Sequence, residues 1–213
     1  MDRTYIERHA NRIILILAVM IATIITGVFS WRMQLSVQAE TQEHLASEVL
    51  RFHILANSDS EEDQALKMRV KDQVIAYLEK TLPKGLDVDR TKDWMRRHTD
   101  ELENVAAAVI EKEGQDYPVS AAVTTCYFPE KTYGDVTFPA GNYEALRVEI
   151  GAAKGHNWWC VLYPNLCFLD AANAVVPEEG KKELKSVLTE EEYSQVTAQS
   201  DFKIKWYFLE NLK

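Results

Sequence analysis

The stretch Gly155-His156-Asn157-Trp158-Trp159-Cys160 places an imidazole and a thiol within five residues. A thiol hydrolase needs that pair, because an imidazole must take the thiol proton before sulfur attacks. On an extended strand, positions 156 and 160 share a face but lie about 13 Å apart, at about 3.3 Å per residue. They cannot share a proton there. His53 or His98 would have to serve instead, and nothing in the sequence selects either. A buried cysteine flanked by core tryptophans explains the stretch with fewer demands. A second cluster, Asn57-Ser58-Asp59-Ser60-Glu61-Glu62-Asp63, sets four carboxylates within five positions. It lacks the alternating ligands and central glycine of a calcium loop. Capping of a following helix is the simpler reading. Cys126, Cys160 and Cys167 are odd in number and show no zinc spacing. Bridges Cys160–Cys167 and Cys126–Cys160, or two or three buried free thiols, all stay open. No phosphate-binding, dinucleotide or metalloprotease motif occurs, and no cofactor or metal is expected.

The elements that must position these groups read as α+β. Val49–Leu55 is short and apolar, so a strand is expected. Ser60, with Asp63 three residues on, resembles a capping box and opens a helix. Leu66, Val70, Val74, Tyr77 and Leu78 repeat at helical spacing, and Leu82-Pro83-Lys84-Gly85 stops them. A second helix begins near Asp89 or Thr91, carries Trp94, Leu102, Val105 and Val109, and ends at Gly114. Val119–Phe128 is a strand, and 132–142, with its Gly and Pro, a loop of tight turns. Leu146, Val148 and Ile150 alternate with Arg147 and Glu149 as a half-buried strand. Asn157–Tyr163 is another strand. Short helical turns follow, with a capping box at Thr189 and Glu192, an alternating Phe202–Trp206 and a helical tail to Leu212. The expected architecture is a helical pair packed on a mostly antiparallel sheet, ordered as a meander.

Ile13–Phe29 is 17 residues without charge, preceded by Arg3, Arg8 and Arg12 and followed by Trp31. Positive residues before an uncharged run mark an export signal or a membrane anchor whose basic end stays in the cytoplasm. Its length falls between a cleaved signal and a full span, and Val37-Gln38-Ala39 offers a cleavage point before Glu40. The expected domains are therefore 1–39, signal or anchor with linker, and 40–213, one extracytoplasmic domain. The chain carries a formal charge of −9. Its first 39 residues hold four arginines and two acids, so the remainder carries about −11. An acidic exported domain does not suit nucleic acid.

Three blocks carry a resemblance to a known family. They are Arg51–Lys67 (RFHILANSDSEEDQALK), Thr132–Arg147 (TYGDVTFPAGNYEALR), and Gly155–Leu162 (GHNWWCVL) with Leu166-Cys167-Phe168. Together they span about Val49–Asp170 and resemble the stage II sporulation protein R family. The resemblance implies a protein made in the forespore and exported to the space between forespore and mother cell. There it would activate a membrane-embedded aspartic-type protease, the peptidase that processes pro-sigma-E. Such a protein is a ligand, not an enzyme, so no catalytic residues transfer. The expected partner surface is the 133–143 loop, with Tyr133, Asp135, Phe138 and Tyr143, and the face around His156 and Trp158. The competing reading is an extracytoplasmic thiol hydrolase using Cys160.

Overall fold

The computed structural model describes residues 3–164, 176 and 178–197. Cys167 and the Phe202–Leu212 tail lie outside the described residues. The chain divides into two units, 1–43 and 44–213. The first unit is helical. α1 runs Arg3–Ser47, and its segment Ile14–Met33 has mean hydropathy 2.4 with every side chain exposed. That is long and apolar enough to cross a membrane. Residues 41–47, whose polar character allows either a short linker or helix, are the end of this helix. No Gly or Pro interrupts Ser30–Ser47, and Gln, Glu, Ala and Leu there favour helix.

The second unit is α+β. Its sheet has four strands in the order β2-β5-β1-β6. These are β1 (Leu50–Leu55), β2 (Val119–Phe128), β5 (Gly141–Ile150) and β6 (Asn157–Tyr163). β3 (Lys131–Tyr133) and β4 (Val136–Phe138) form a separate hairpin. The expected meander is not what forms. β1 inserts between β5 and β6, parallel to β5 and antiparallel to β6. Burial explains the placement, since all six β1 residues are buried. A strand covered on both faces belongs in the middle of a sheet, not at its edge.

Alternation along the strands separates two cores. Phe52, Ile54, Leu146 and Val148 pack with Val70, Val74 and Leu78 of α2 (Glu61–Thr81) and with Leu102, Ala106 and Ile110 of α4 (Thr99–Lys112). The opposite face carries Phe128, Val136, Phe138, Tyr143 and Val161. α5 (Glu178–Val187) and the helical residues 190–197 supply Leu184 and Val196 to it. The expected second helix is broken in two, α3 (Val88–Arg97) and α4, at His98. There the His98 ring stacks on Trp94 at 3.8 Å, and its Nδ1 lies 2.7 Å from the Trp94 carbonyl. A side chain that satisfies the end of α3 allows the chain to turn before α4 begins.

Residues 132–142, expected as a loop, contain the β3–β4 hairpin, turned at Gly134 with φ of +59°. Glycine adopts that conformation without the Cβ penalty. The capping box at Thr189 is present, with Glu192 accepting from both Thr189 N–H and hydroxyl at 2.8 Å. Ser60 caps α2 through Asp63 N–H, but the Asp63 carboxylate turns to the Asn57 amide and the Ser58 hydroxyl. Those hydrogen bonds hold it below the usual carboxylate range.

β2 forms one edge of the sheet and contains neither charge nor proline over ten residues. Such an edge is a template for unwanted pairing. The Ala121 N–H, which points off the edge, is capped by Glu103 Oε1 at 2.7 Å. Glu103→Ala is expected to lower stability by about 1–2 kcal/mol. It should also raise light scattering at concentrations where the parent chain stays clear. A denaturant midpoint equal to the parent's would show that water replaces Glu103 at no cost.

Candidate functional site

The expected partner residues fall on two faces. Tyr133, Phe138 and Tyr143 point inward beside Phe128. The four rings surround the Arg51 guanidinium, at 4.4 Å from the Phe128 centroid, 5.0 Å from Tyr143, 5.1 Å from Phe138 and 5.7 Å from Tyr133. Arg51 is wholly buried. Its Nε donates to the Cys160 carbonyl at 3.2 Å and its Nη2 to the Tyr133 hydroxyl at 2.9 Å. Its Nη1 has no partner. Asp135 lies at the hairpin turn, pairs with Lys181 at 2.6 Å and accepts the Val176 N–H.

His156 is exposed and held to Asp59 through both its ring and its backbone N–H. Trp158 packs on the helix side, edge-on to Phe52 at 5.6 Å and under the Lys71 ammonium at 5.2 Å. Cys160 points into the same helix-side core and is 4 % exposed. It is disulfide-bonded. The thiol-hydrolase reading of Cys160 is therefore corrected: there is no free thiol to deprotonate, and His156 stands out in solvent. Cys126 is the free thiol among the described residues. The acidic run does what the capping reading expects. No metal-ligand cluster occurs among the described residues.

The face opposite the helices holds a cluster that motif reading missed. His53 and Arg147 are register partners on β1 and β5, and His53 also faces Trp159 across the β1–β6 ladder. The His53 ring stacks on Trp159 at 3.9 Å and 16°. Its Nδ1 lies 3.9 Å from Cys126 Sγ. Its Nε2 is buried and makes no hydrogen bond of good geometry. Arg147 pairs through Nη2 with Glu149, while its own Nε is buried and unpartnered. The signal was present as alternation. Arg51 and His53 interleave with Leu50, Phe52 and Ile54, and Arg147 and Glu149 with Leu146, Val148 and Ile150. What the sequence lacked was the parallel pairing that sets the two rows side by side.

Cys126 and His53 form a thiol–imidazole pair, but burial works against its use as a nucleophile. It raises the Cys126 thiol and lowers His53 to about 4, helped by the Arg147 charge and opposed by the Asn157 side chain. Both groups are neutral at pH 7, so the thiolate–imidazolium state that drives thiol attack is disfavoured.

The lowered His53 carries a pH prediction. Unfolded, this imidazole titrates near 6.5; folded, it resists protonation until about 4. Between those values the unfolded chain holds more protons, so stability rises with pH. Lowering the pH from 7 to 4.5 should cost about 1–2 kcal/mol from this residue. His53→Gln should flatten the denaturant midpoint over that window. An unchanged slope in the variant would assign it to other groups.

The family model described as stage II sporulation protein R matches residues 46–173, a range that takes in the whole sheet and α2 to α4. A protein of Bacillus subtilis (strain 168) named Stage II sporulation protein R is 36 % identical over 158 residues, covering 74 % of this chain and 70 % of that protein. No solved structure matches the chain. The matched range holds Arg51, His53, Cys126, Arg147 and Trp159, and on this match the chain belongs to the stage II sporulation protein R family.

Proposed function

We propose that the chain is an intercompartmental signalling protein of sporulation, exported from the forespore, that activates the membrane-embedded protease processing pro-sigma-E. It acts as a ligand and not as an enzyme. Family membership carries the reading. The apolar Ile14–Met33 segment behind three arginines supports it, since the message must leave one compartment to act on another. The neutral Cys126–His53 pair and the disulfide-bonded Cys160 support a binding role over a hydrolytic one. A ligand activates by binding the active form of its receptor better than the inactive form. Converting a mostly inactive population to a mostly active one takes a preference of about 10⁴-fold. The surfaces open to such a receptor include exposed His156 and the turn of the β3–β4 hairpin near Asp135.

The test is reconstitution. This chain, the protease and pro-sigma-E are co-expressed in a host that does not sporulate, and pro-segment removal is followed on a gel. Processing is expected to depend on this chain. Equal processing without it would overturn the activator reading.

A further inference from the structure

We propose that the cavity at the C-terminal end of α2 binds a basic side chain, arginine or lysine, carried on a segment of a partner protein. The cavity has a volume of about 550 Å³, within the range of sites that take organic ligands. It lies inside the second unit, where the end of α2, the turn over 82–86, the end of β6 and α5 meet. Its apolar part is continuous with the core: Leu78 is wholly buried, and Leu82 and Leu86 pack against the helix-side cluster. Solvent reaches it past Glu79, Lys84 and Ser186, all lining residues and all exposed.

The field in this cavity is negative. Glu79 lines it from α2 and Glu183 from α5. Tyr163 lies between turn and helix, and its hydroxyl is pushed up by burial first, then by the carboxylates of Asp87, Glu48 and Glu183. Asp87 is engaged with Arg90 at 3.6 Å. Among the described residues, Glu48, Glu79 and Glu183 make no ion pair. Lys84 is the single cation among the described lining residues, so the three carboxylates are left largely uncompensated. The negative pole of the α2 dipole ends at the same place.

An apolar wall beside acidic groups fits a ligand with a hydrocarbon stem and a cationic head, which is the build of arginine and lysine. A phosphate or carboxylate would meet like charge. A metal ion would find the acids too dispersed, since no metal-ligand cluster occurs among the described residues. The Tyr163 hydroxyl has no hydrogen-bond partner among the described residues and can accept from an ammonium or guanidinium. The space exceeds one side chain and leaves room for its neighbours on a peptide. At longer range the charge of about −11 on residues 40–213 draws basic partners toward the unit. The choice of a protein as occupant rests on the ligand-and-receptor reading above; the preference for a cation does not.

The test follows Tyr163 directly. The full chain in detergent is labelled with 3-fluorotyrosine, and the Tyr163 fluorine signal is identified by its absence from Tyr163→Phe. The probe is acetyl-Ala-Arg-Ala-amide. The same peptide with citrulline, which keeps the shape and removes the charge, and guanidinium chloride at equal ionic strength are the controls. The arginine peptide is expected to move the Tyr163 signal to saturation, and neither control should. The lysine peptide should act at a similar concentration. Glu79→Gln with Glu183→Gln should raise the half-saturating concentration about 3–10-fold, the range for two solvent-accessible charge pairs. Ser186→Trp, which places a ring over the opening, should abolish the shift in a chain with parent circular dichroism. Citrulline matching arginine, or either variant binding as the parent does, would overturn the site. Butylguanidinium acting at lower concentration than the peptide would overturn the protein occupant in favour of a small free cation. The measurement uses this chain alone, so its failure leaves the activator reading standing, and failed activation leaves the cation site standing.

Discussion

Gly155→Ala lowers the stability of the second unit by about 2–4 kcal/mol, the range for a forced steric clash. That is the expected result, and the reason is backbone, not side chain. A Cβ at Gly155 collides with the carbonyl of Ser58 and crowds the Ala56 methyl. The Gly155 N–H also donates to the Ala56 carbonyl at 2.9 Å, and Lys154 N–H to the Asn57 carbonyl at 3.2 Å. The connector between β5 and β6 is thus laced to the turn between β1 and α2. Neither side has a flexible group that can swing away. Gly155 is not in the left-handed region, so conformational preference contributes nothing; the collision alone does. Gly151, in the same connector, differs, with φ of +59° and Asn57 against it. Lys154→Ala is the control and should stay within about 0.5 kcal/mol. Denaturant melts of the full chain in detergent measure both. A Gly155→Ala midpoint equal to that of Lys154→Ala would mean that the two loops separate freely, and the lacing would not hold β6 in place.

Arg51 supports the second large effect, and two substitutions divide it. Arg51→Ala empties a fully buried site ringed by Phe128, Tyr133, Phe138 and Tyr143, and should cost about 3–5 kcal/mol, as other large-to-small core changes do. Arg51→Met fills most of the same volume without charge and should stay within about 1 kcal/mol of the parent. The comparison turns on how the charge is compensated. Desolvating a guanidinium costs several kcal/mol. Its compensation here is two hydrogen bonds and four ring faces, each ring worth about 0.5–2 kcal/mol. No ion pair to Arg51 exists among the described residues, and Nη1 is unpartnered. The terms nearly cancel, so removing the charge with the volume kept should be almost free. If Met costs as much as Ala, the rings require the cation.

Local order was legible wherever neighbours in the chain cause it. Ser60 before three acids starts α2 because a side-chain oxygen and the helix dipole act over one turn. Val119–Phe128 reads as a strand from its own β-branched and aromatic residues, and forms over those same residues. The Ile14–Met33 helix follows from its own hydropathy. The three quoted blocks were enough to indicate the family. The 133–143 segment shows where local reading stops. Its turn at Gly134 was visible, but the inward direction of Tyr133, Phe138 and Tyr143 depends on Arg51, about 80 residues earlier in the chain. His98 likewise gave no local sign that it would end one helix and begin another.

The sequence by itself therefore determined the apolar helix, the helix starts, the strand segments and the α+β class, because each rests on interactions within a few residues. Tertiary structure alone decided that β1 lies between β5 and β6 and that Cys160 faces the helices while Cys126 faces the other side. It also decided that His53 and Arg147, far apart in sequence, stand opposite each other. Register has a period of two, so a shift of one residue would have turned His53 and Arg147 into the helix-side core. Burying Phe52, Ile54, Leu146 and Val148 against α2 and α4 fixed that register. The polar row was carried to the opposite face as the consequence.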